Sequence, residues 1–140
     1  MMLPLNPELR QTLRTNAVLR EMHQRRELPA PDPYPVVKFF NPIGAATGLA
    51  TELNRDGDTL FGLADLGFGC PELGFFSLSE IESVRLPFGM RIERDIGFET
   101  PHRLSVWAET ARCVGSILHA QSLLWRTEAA PDPELPPSGG

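Results

Sequence analysis

The sequence contains few of the residues that build metal sites and disulfide frameworks. It has two cysteines, Cys70 and Cys113, and neither belongs to a Cys-x-x-Cys motif or has a histidine at ligand spacing. None of its three histidines lies between residues 36 and 100. We therefore expect no bound metal, no cofactor and no disulfide bond in this protein.

Long apolar runs are also missing. No stretch approaches the roughly 18 apolar residues that a membrane-spanning helix needs, and Met1 to Leu5 lack the basic and apolar regions of a signal peptide. Hydrophobic residues make up 41% and charged residues 22% of the 140 residues, which is typical of a globular domain. We expect one cytoplasmic domain that makes no contact with a membrane.

Lysine is nearly absent, and the charges are unevenly distributed. Lys38 is the single lysine, the net charge is −5, and residues 51–100 carry ten acids against four bases. Nucleic-acid binding depends on a basic surface that neutralises phosphates, so this balance argues against direct DNA binding but leaves it open. The acidic middle of the chain is better suited to a protein partner.

Helical and strand patterns alternate along the chain. Asn6-Pro7 is typical of a helix start, and the apolar spacing extends this helix over residues 6–26. Asp56-Gly57 predicts a hairpin turn, and Ser77 with Glu80 predicts the start of a short helix. Strands are predicted at residues 36–40, 46–54, 59–66, 72–76 and 90–98, and a last helix at residues 105–125.

This order of elements predicts an α+β fold. We expect a small, mostly antiparallel sheet of four to five strands, covered on one face by the N- and C-terminal helices, with one short internal helix. Residues 1–126 form the domain in this interpretation. Residues 127–140 contain four prolines and are predicted to be a disordered tail.

Several stretches in the middle of the chain resemble a known family. They are VVKFFNP (residues 36–42), ATE (50–52), DGDTLFGLAD (56–65), ELG (72–74), FSLSEI (76–81), PFG (87–89) and IERD (92–95). Together they resemble the bacterial domain-of-unknown-function family 2958, with a match over about residues 36–100. The longer terminal helices resemble its plasmid-borne subgroup from alphaproteobacteria.

The resemblance implies a genetic context but no activity. Genes of this family are typically carried on plasmids and integrative elements, near conjugation, partition-like and antirestriction genes. In the plasmid-borne subgroup an aromatic residue usually stands where this chain has Gly48. If that ring belongs to a binding surface, this chain would bind its partner more weakly or differently.

Carboxylates on or beside the predicted strands are the candidates for catalysis. Paired carboxylates can hold Mg²⁺ or transfer protons, but no Asp/Glu motif here has a known metal spacing. A cysteine in a glycine-rich loop could act as a nucleophile, although no basic residue stands beside it in the sequence to activate it. The weak catalytic candidates are Glu52, Asp65, Glu72, Glu93, Asp95 and Cys70.

Arg94 raises a separate question. Strict alternation places it with Ile92 and Ile96 on an apolar face, where an unpaired guanidinium is costly. Asp65 is our first candidate partner and Glu52 our second. We therefore predict a structural ion pair between Arg94 and Asp65.

Two further groups could form a binding surface. One is the row of arginines on the N-terminal helix, which could contact DNA phosphates or an acidic protein. The other is an aromatic residue in the glycine-rich loop. These residues are Arg10, Arg14, Arg25, Arg26 and Phe68.

Three functions remain open at this point. The preferred interpretation is a non-catalytic accessory protein of a mobile element that binds a protein partner, with an acidic face of the kind available to antirestriction proteins. The first alternative is a metal-dependent nuclease or hydrolase that uses the strand carboxylates. The second alternative is a DNA-binding regulator that uses the arginine-bearing helix. The sequence gives no basis for predicting an oligomeric state.

Overall fold

The computed structural model describes residues 5–129 and confirms the α+β fold. The α-helices are α1 (Pro7–Arg25), α2 (Leu78–Ser83), α3 (Leu104–Val114) and α4 (Ile117–Ala129). The strands are β1 (Val37–Phe40), β2 (Thr47–Leu53), β3 (Thr59–Asp65), β4 (Glu72–Ser77) and β5 (Glu93–Arg94). All strand pairs are antiparallel, in the order β4-β3-β2-β1-β5. No helix in this part of the chain is long and apolar enough to cross a membrane.

Apolar clusters lie on both faces of the sheet, which corrects the prediction that helices cover one face. The α1-side cluster joins α1 and α2 to β1, β2 and β3; it contains Leu5, Leu13, Val37, Phe39, Ala50, Leu53, Leu60 and Leu78. The α3-side cluster joins α3 and α4 to β2 and β3; it contains Leu49, Leu63, Leu104, Trp107, Ala108, Ala111, Ile117, Ala120 and Leu124. The sheet is therefore the middle layer of the domain.

Strand β2 changes face part-way along its length. The register with β3 shifts between Ala50 and Glu52, so Thr51 is the extra residue of a β-bulge. Ala50 and Leu53 therefore both join the α1-side cluster, although strict alternation would place them on opposite faces.

The turn between β2 and β3 is built from aspartates, as predicted. An Asp56 carboxylate oxygen accepts the amides of Asp58 and Thr59 and its other oxygen accepts the Thr59 hydroxyl at 2.6 Å. These bonds, chiefly from the Thr59 side chain, lower the pKa of Asp56 to about 2. Asp58 accepts the Ser77 hydroxyl and the Ser79 amide, so this turn also stabilises the start of α2.

Helix α1 begins at the predicted cap and covers the end of β2 that β1 does not reach. Asn6 accepts the Leu9 amide at 2.8 Å. Farther along, Asn16 donates to the Thr51 carbonyl at 2.9 Å and Arg14 donates to the Leu53 carbonyl. Helix α1 therefore supplies donors to carbonyl groups that a free strand edge would leave to water.

The helices of the C-terminal region differ from the prediction in number and length. Gly115, with φ 75°, ends α3 in a left-handed conformation, so two helices replace the single helix predicted over residues 105–125. Helix α4 continues to Ala129, so residues 127–129 are helical rather than part of a tail. The remainder of the predicted tail lies outside the described residues.

Strand β5 has two residues instead of nine, because a turn in which the Phe98 amide donates to the Asp95 carbonyl follows it.

We expect Gly115→Ala to lower the free energy of unfolding by about 1–2 kcal/mol, because an L-residue disfavours a left-handed backbone. The added Cβ would also lie 3.3 Å from the Gly69 carbonyl oxygen. Urea unfolding measures the change. The control is Gly97→Ala, whose Cβ meets no atom within 4 Å. Equal effects of the two substitutions would contradict this account of the helix break.

Candidate functional site

The strand carboxylates do not come together. Glu52 is buried and accepts a hydrogen bond from Arg20 at 2.6 Å, while Glu72 is exposed on β4. Glu93 pairs with Phe40 in the β1–β5 ladder. Within residues 5–129, no three His, Cys, Asp or Glu side chains are grouped so that they could hold a metal ion. The metal-dependent alternative therefore lacks a cluster of three such ligands in this part of the chain.

Asp65 is a structural residue at the end of β3. Its side chain is about 1% exposed, and its two carboxylate oxygens accept the Ile117 amide at 2.9 Å and the Gly67 amide at 2.8 Å. Ile117 is the first residue of α4, where the helix dipole favours a negative charge. This carboxylate therefore joins β3, the loop that follows it and the start of α4.

The predicted ion pair between Arg94 and Asp65 is wrong. Strands β2 and β1 lie between the two residues in the sheet, and Arg94 pairs with Phe39 on the opposite side of β1. Within the described chain Arg94 forms no salt bridge, and its Nε is buried without a hydrogen-bond partner. The second candidate partner, Glu52, is paired with Arg20 instead.

Lys38 forms another buried polar contact that the sequence did not reveal. It lies on β1 and donates from Nζ to Gln121 Oε1 of α4 at 2.7 Å, with the Asp95 carboxylate 3.9 Å away. Burial lowers the pKa of Lys38, and the charge of Asp95 opposes that shift. The hydrogen bond to Gln121 links β1 to α4. Asp95, one of the catalytic candidates, lies beside the Lys38 ammonium group as its nearby negative charge.

The arginines of α1 divide into two groups. Arg10 and Arg14 donate to the carbonyls of Gly57 and Leu53, so they hold the helix on the sheet. Arg25 and Arg26 are exposed at the end of the helix. A DNA-binding surface over the whole row would compete with the structural contacts of Arg10 and Arg14.

The glycine-rich loop after β3 is exposed. Phe68 is 84% exposed, and Cys70 is exposed with a free thiol. Gly67 and Gly69 have φ values of 90° and 85°, which only glycine adopts easily. Within residues 5–129 the Cys70 thiol forms no hydrogen bond or salt bridge with a base.

An apolar cleft opens on the α1-side face at one end of the sheet. Its floor includes Phe39, Gly48, Ala64 and Phe76, and it encloses about 290 Å³. Its outer wall is formed by Ile81, Val84, Leu86 and Ile92, which come from α2 and the chain leading to β5. We call residues 84–92 the wall segment. Apolar clefts of this kind are the usual places where proteins bind ligands or partner side chains.

Gly48 determines how open this cleft is. A Cβ built on Gly48 would lie 3.6 Å from the Phe76 ring, an ordinary van der Waals distance. The backbone therefore has room for a side chain here, and that side chain would extend over the floor of the cleft. The sequence marked Gly48 as unusual but gave no sign of a cleft, because its walls come from segments distant in the chain.

Phe88 stands at the tip of the wall segment. The turn is closed from the Leu86 amide to the Met90 carbonyl at 3.0 Å, and Phe88 has φ 61° and a side chain 94% exposed. A left-handed backbone is costly for a phenylalanine. The structure thus holds an aromatic ring in solvent on a strained turn, within the segment whose Leu86 and Ile92 line the cleft.

The family model described as Protein of unknown function (DUF2958) matches residues 5–118. The chain belongs to this family. The match is wider than the 36–100 expected from the sequence, because it includes α1, the whole sheet and α3. No curated protein and no solved structure matches the chain.

In this DUF2958 protein, Asp65→Ala should lower the free energy of unfolding by about 1–3 kcal/mol, because the buried Ile117 amide loses its acceptor. Thermal or urea unfolding measures the loss, with the exposed Glu99→Ala as the control. Because Arg94 does not contact Asp65, the losses of Arg94→Ala and Asp65→Ala should add in the double variant. A clear coupling energy between the two substitutions would instead support an ion pair between Arg94 and Asp65.

Phe88→Asn should raise the free energy of unfolding of the DUF2958 protein by about 1 kcal/mol, because asparagine tolerates the left-handed backbone better than phenylalanine. Phe68→Asn is the matched control, since Phe68 is similarly exposed but does not have a positive φ. Urea titrations of both variants give the comparison. A loss of stability with Phe88→Asn would show that the ring stabilises the wall segment.

Proposed function

We propose that this chain is a non-catalytic accessory protein of a bacterial mobile element that binds a protein partner through the apolar cleft. The observation that carries the proposal is the open cleft itself. Apolar clusters pack against both faces of the sheet, and this end keeps its apolar floor accessible. Exposed apolar surface of this kind is typical of interaction sites.

The size of the cleft favours protein side chains over a large cofactor. Small-molecule pockets are usually about 300–1,000 Å³, and this cleft, at about 290 Å³, is just below that range. It suits a few apolar side chains of a partner segment.

The charge of the wall segment indicates which charged residues the partner segment carries. Arg85 and Arg91 belong to it, and Arg94 follows it on β5. Residues 84–92 contain no Asp or Glu, so the wall segment carries a net positive charge. Electrostatic complementarity therefore favours an apolar partner segment that also carries Asp or Glu.

Phe88 supplies an anchor for the same partner. Interfaces obtain most of their binding energy from a few residues, often aromatic, that become buried on association. Phe88 lies in sequence between Leu86 and Ile92 of the cleft wall, and its ring is 94% exposed, so a partner can reach it.

An acidic surface formed by residues 51–100 is less well supported than the cleft as the binding site for a protein partner. Of the ten acids in residues 51–100, Glu52 and Asp65 are buried, and Asp56 and Asp58 are held in the hairpin turn. The cleft is therefore our preferred surface for a host-protein partner. The mobile-element origin in this proposal rests on the resemblance to the plasmid-borne subgroup, and the cytoplasmic location on the free thiols of Cys70 and Cys113, which suit a reducing compartment.

The proposal is tested by selecting random phage-displayed peptides on the native protein. We expect the enriched peptides to combine large apolar residues with Asp or Glu. Gly48→Phe, which fills the floor of the cleft, should weaken their binding about tenfold or more. Fluorescence polarisation with one synthetic peptide measures the affinities.

Gly97→Phe is the matched control, because it adds the same ring on an exposed turn that has open space. It should leave peptide affinity unchanged. Circular dichroism confirms that both variants are folded. Enrichment of no peptide, or binding that Gly48→Phe leaves intact, would overturn the cleft as the binding site.

A further inference from the structure

We propose that β4 is a self-association edge, at which two copies of this chain pair antiparallel into one continuous sheet. Strand β4 is at the edge of the sheet and pairs with β3 over six consecutive residues without a bulge. The opposite edge, β5, has two residues. Strand β4 is thus the long edge of the described sheet.

Among residues 5–129, strand β4 lacks the features that usually prevent edge strands from pairing with another chain. Monomeric proteins protect edges with lysines, prolines, bulges or covering segments. Strand β4 reads ELGFFS, with one charge at its start, and Leu73 and Phe75 are 39% and 61% exposed. By contrast, α1 donates hydrogen bonds to the carbonyls at the free end of β2.

The backbone groups that β4 directs outward can be identified from the register. The Thr59 carbonyl accepts the Asn54 amide, so Thr59 faces β2 and its neighbour Leu60 faces β4. Backbone groups alternate in direction along a strand, so Gly74, opposite Gly62, faces β3. Leu73 and Phe75 therefore direct their amides and carbonyls away from the sheet, and no hydrogen bond to these groups occurs among the described residues.

These outward groups complement a second copy of themselves. In an antiparallel pair centred on Gly74, Leu73 of each copy lies opposite Phe75 of the other, and each such pair exchanges two backbone hydrogen bonds. The centre, Gly74 against Gly74, has no side chains to collide. Glu72 lies opposite Phe76 of the second copy, so like charges do not meet.

The apolar side chains also fit this arrangement. Leu73 and Phe75 pair with Leu63 and Phe61, so they lie on the α3-side face. The Phe75 and Phe61 rings already contact each other, with centroids 5.1 Å apart. Pairing two β4 strands would extend this apolar row across the joint and remove part of the Phe75 ring from water.

Site-directed disulfide formation tests the proposed register. Cys70 and Cys113 are first replaced by serine, since both are exposed. Single cysteines are then placed at residues 72, 73, 74, 75 and 76 and oxidised. Cysteines at residue 74 would lie about 4.5 Å apart between Cα atoms, within disulfide range, so Gly74→Cys should give the largest covalent dimer fraction.

Sedimentation equilibrium of the unmodified chain measures the association itself. The mass should rise with concentration from 15.5 kDa towards twice that value, and Phe75→Lys should return it to the monomer because lysine protects edges. Leu73→Lys is a second variant, in case Phe75→Lys unfolds. A monomer at every concentration, or cross-linking that is no stronger at residue 74 than at 72 and 76, would overturn the proposal.

Discussion

The central strands bury side chains on both of their faces, and the rest of the domain depends on this double burial. Leu49 and Leu63 lie opposite each other and face α3, whereas Ala50 and Leu60 face the α1-side cluster. Either face without its cover would expose apolar surface to water. Helices are therefore needed on both faces, and the terminal segments of the chain supply them.

Unequal cover on the two faces produces the cleft. The α3-side face is covered by two helices of 11 and 13 residues. On the other face, the described residues that cover this end of the sheet belong to the six-residue α2 and the irregular wall segment. Small residues on the floor, Gly48 and Ala64, leave space beneath that cover. The candidate site is thus the place where the fold has least secondary structure over its apolar floor.

The sequence predicts those features whose chemistry lies within a few residues. The Asn6 cap, the Asp56-Gly57 turn and the Ser77 cap form as predicted because each side chain bonds to a nearby backbone amide. Asp65 shows the limit of this reasoning. It was predicted to pair with Arg94, but its partner is a backbone amide 52 residues away at the start of α4. A pattern of side-chain charges cannot reveal that a carboxylate accepts a hydrogen bond from a distant backbone amide. The predicted arginine partner of Asp65 was therefore wrong.

The cleft was not predictable for the same reason, but local strain points to it in retrospect. Among the described residues other than glycine, Glu27 and Phe88 have positive φ values. Glu27 follows α1, where the Leu28 amide bonds back to the His23 carbonyl, so helix termination explains it. Phe88 ends no regular helix and exposes its ring. Because proteins keep strained conformations mainly where function requires them, the strain at Phe88 and the open floor beside Gly48 support one site at this end of the sheet.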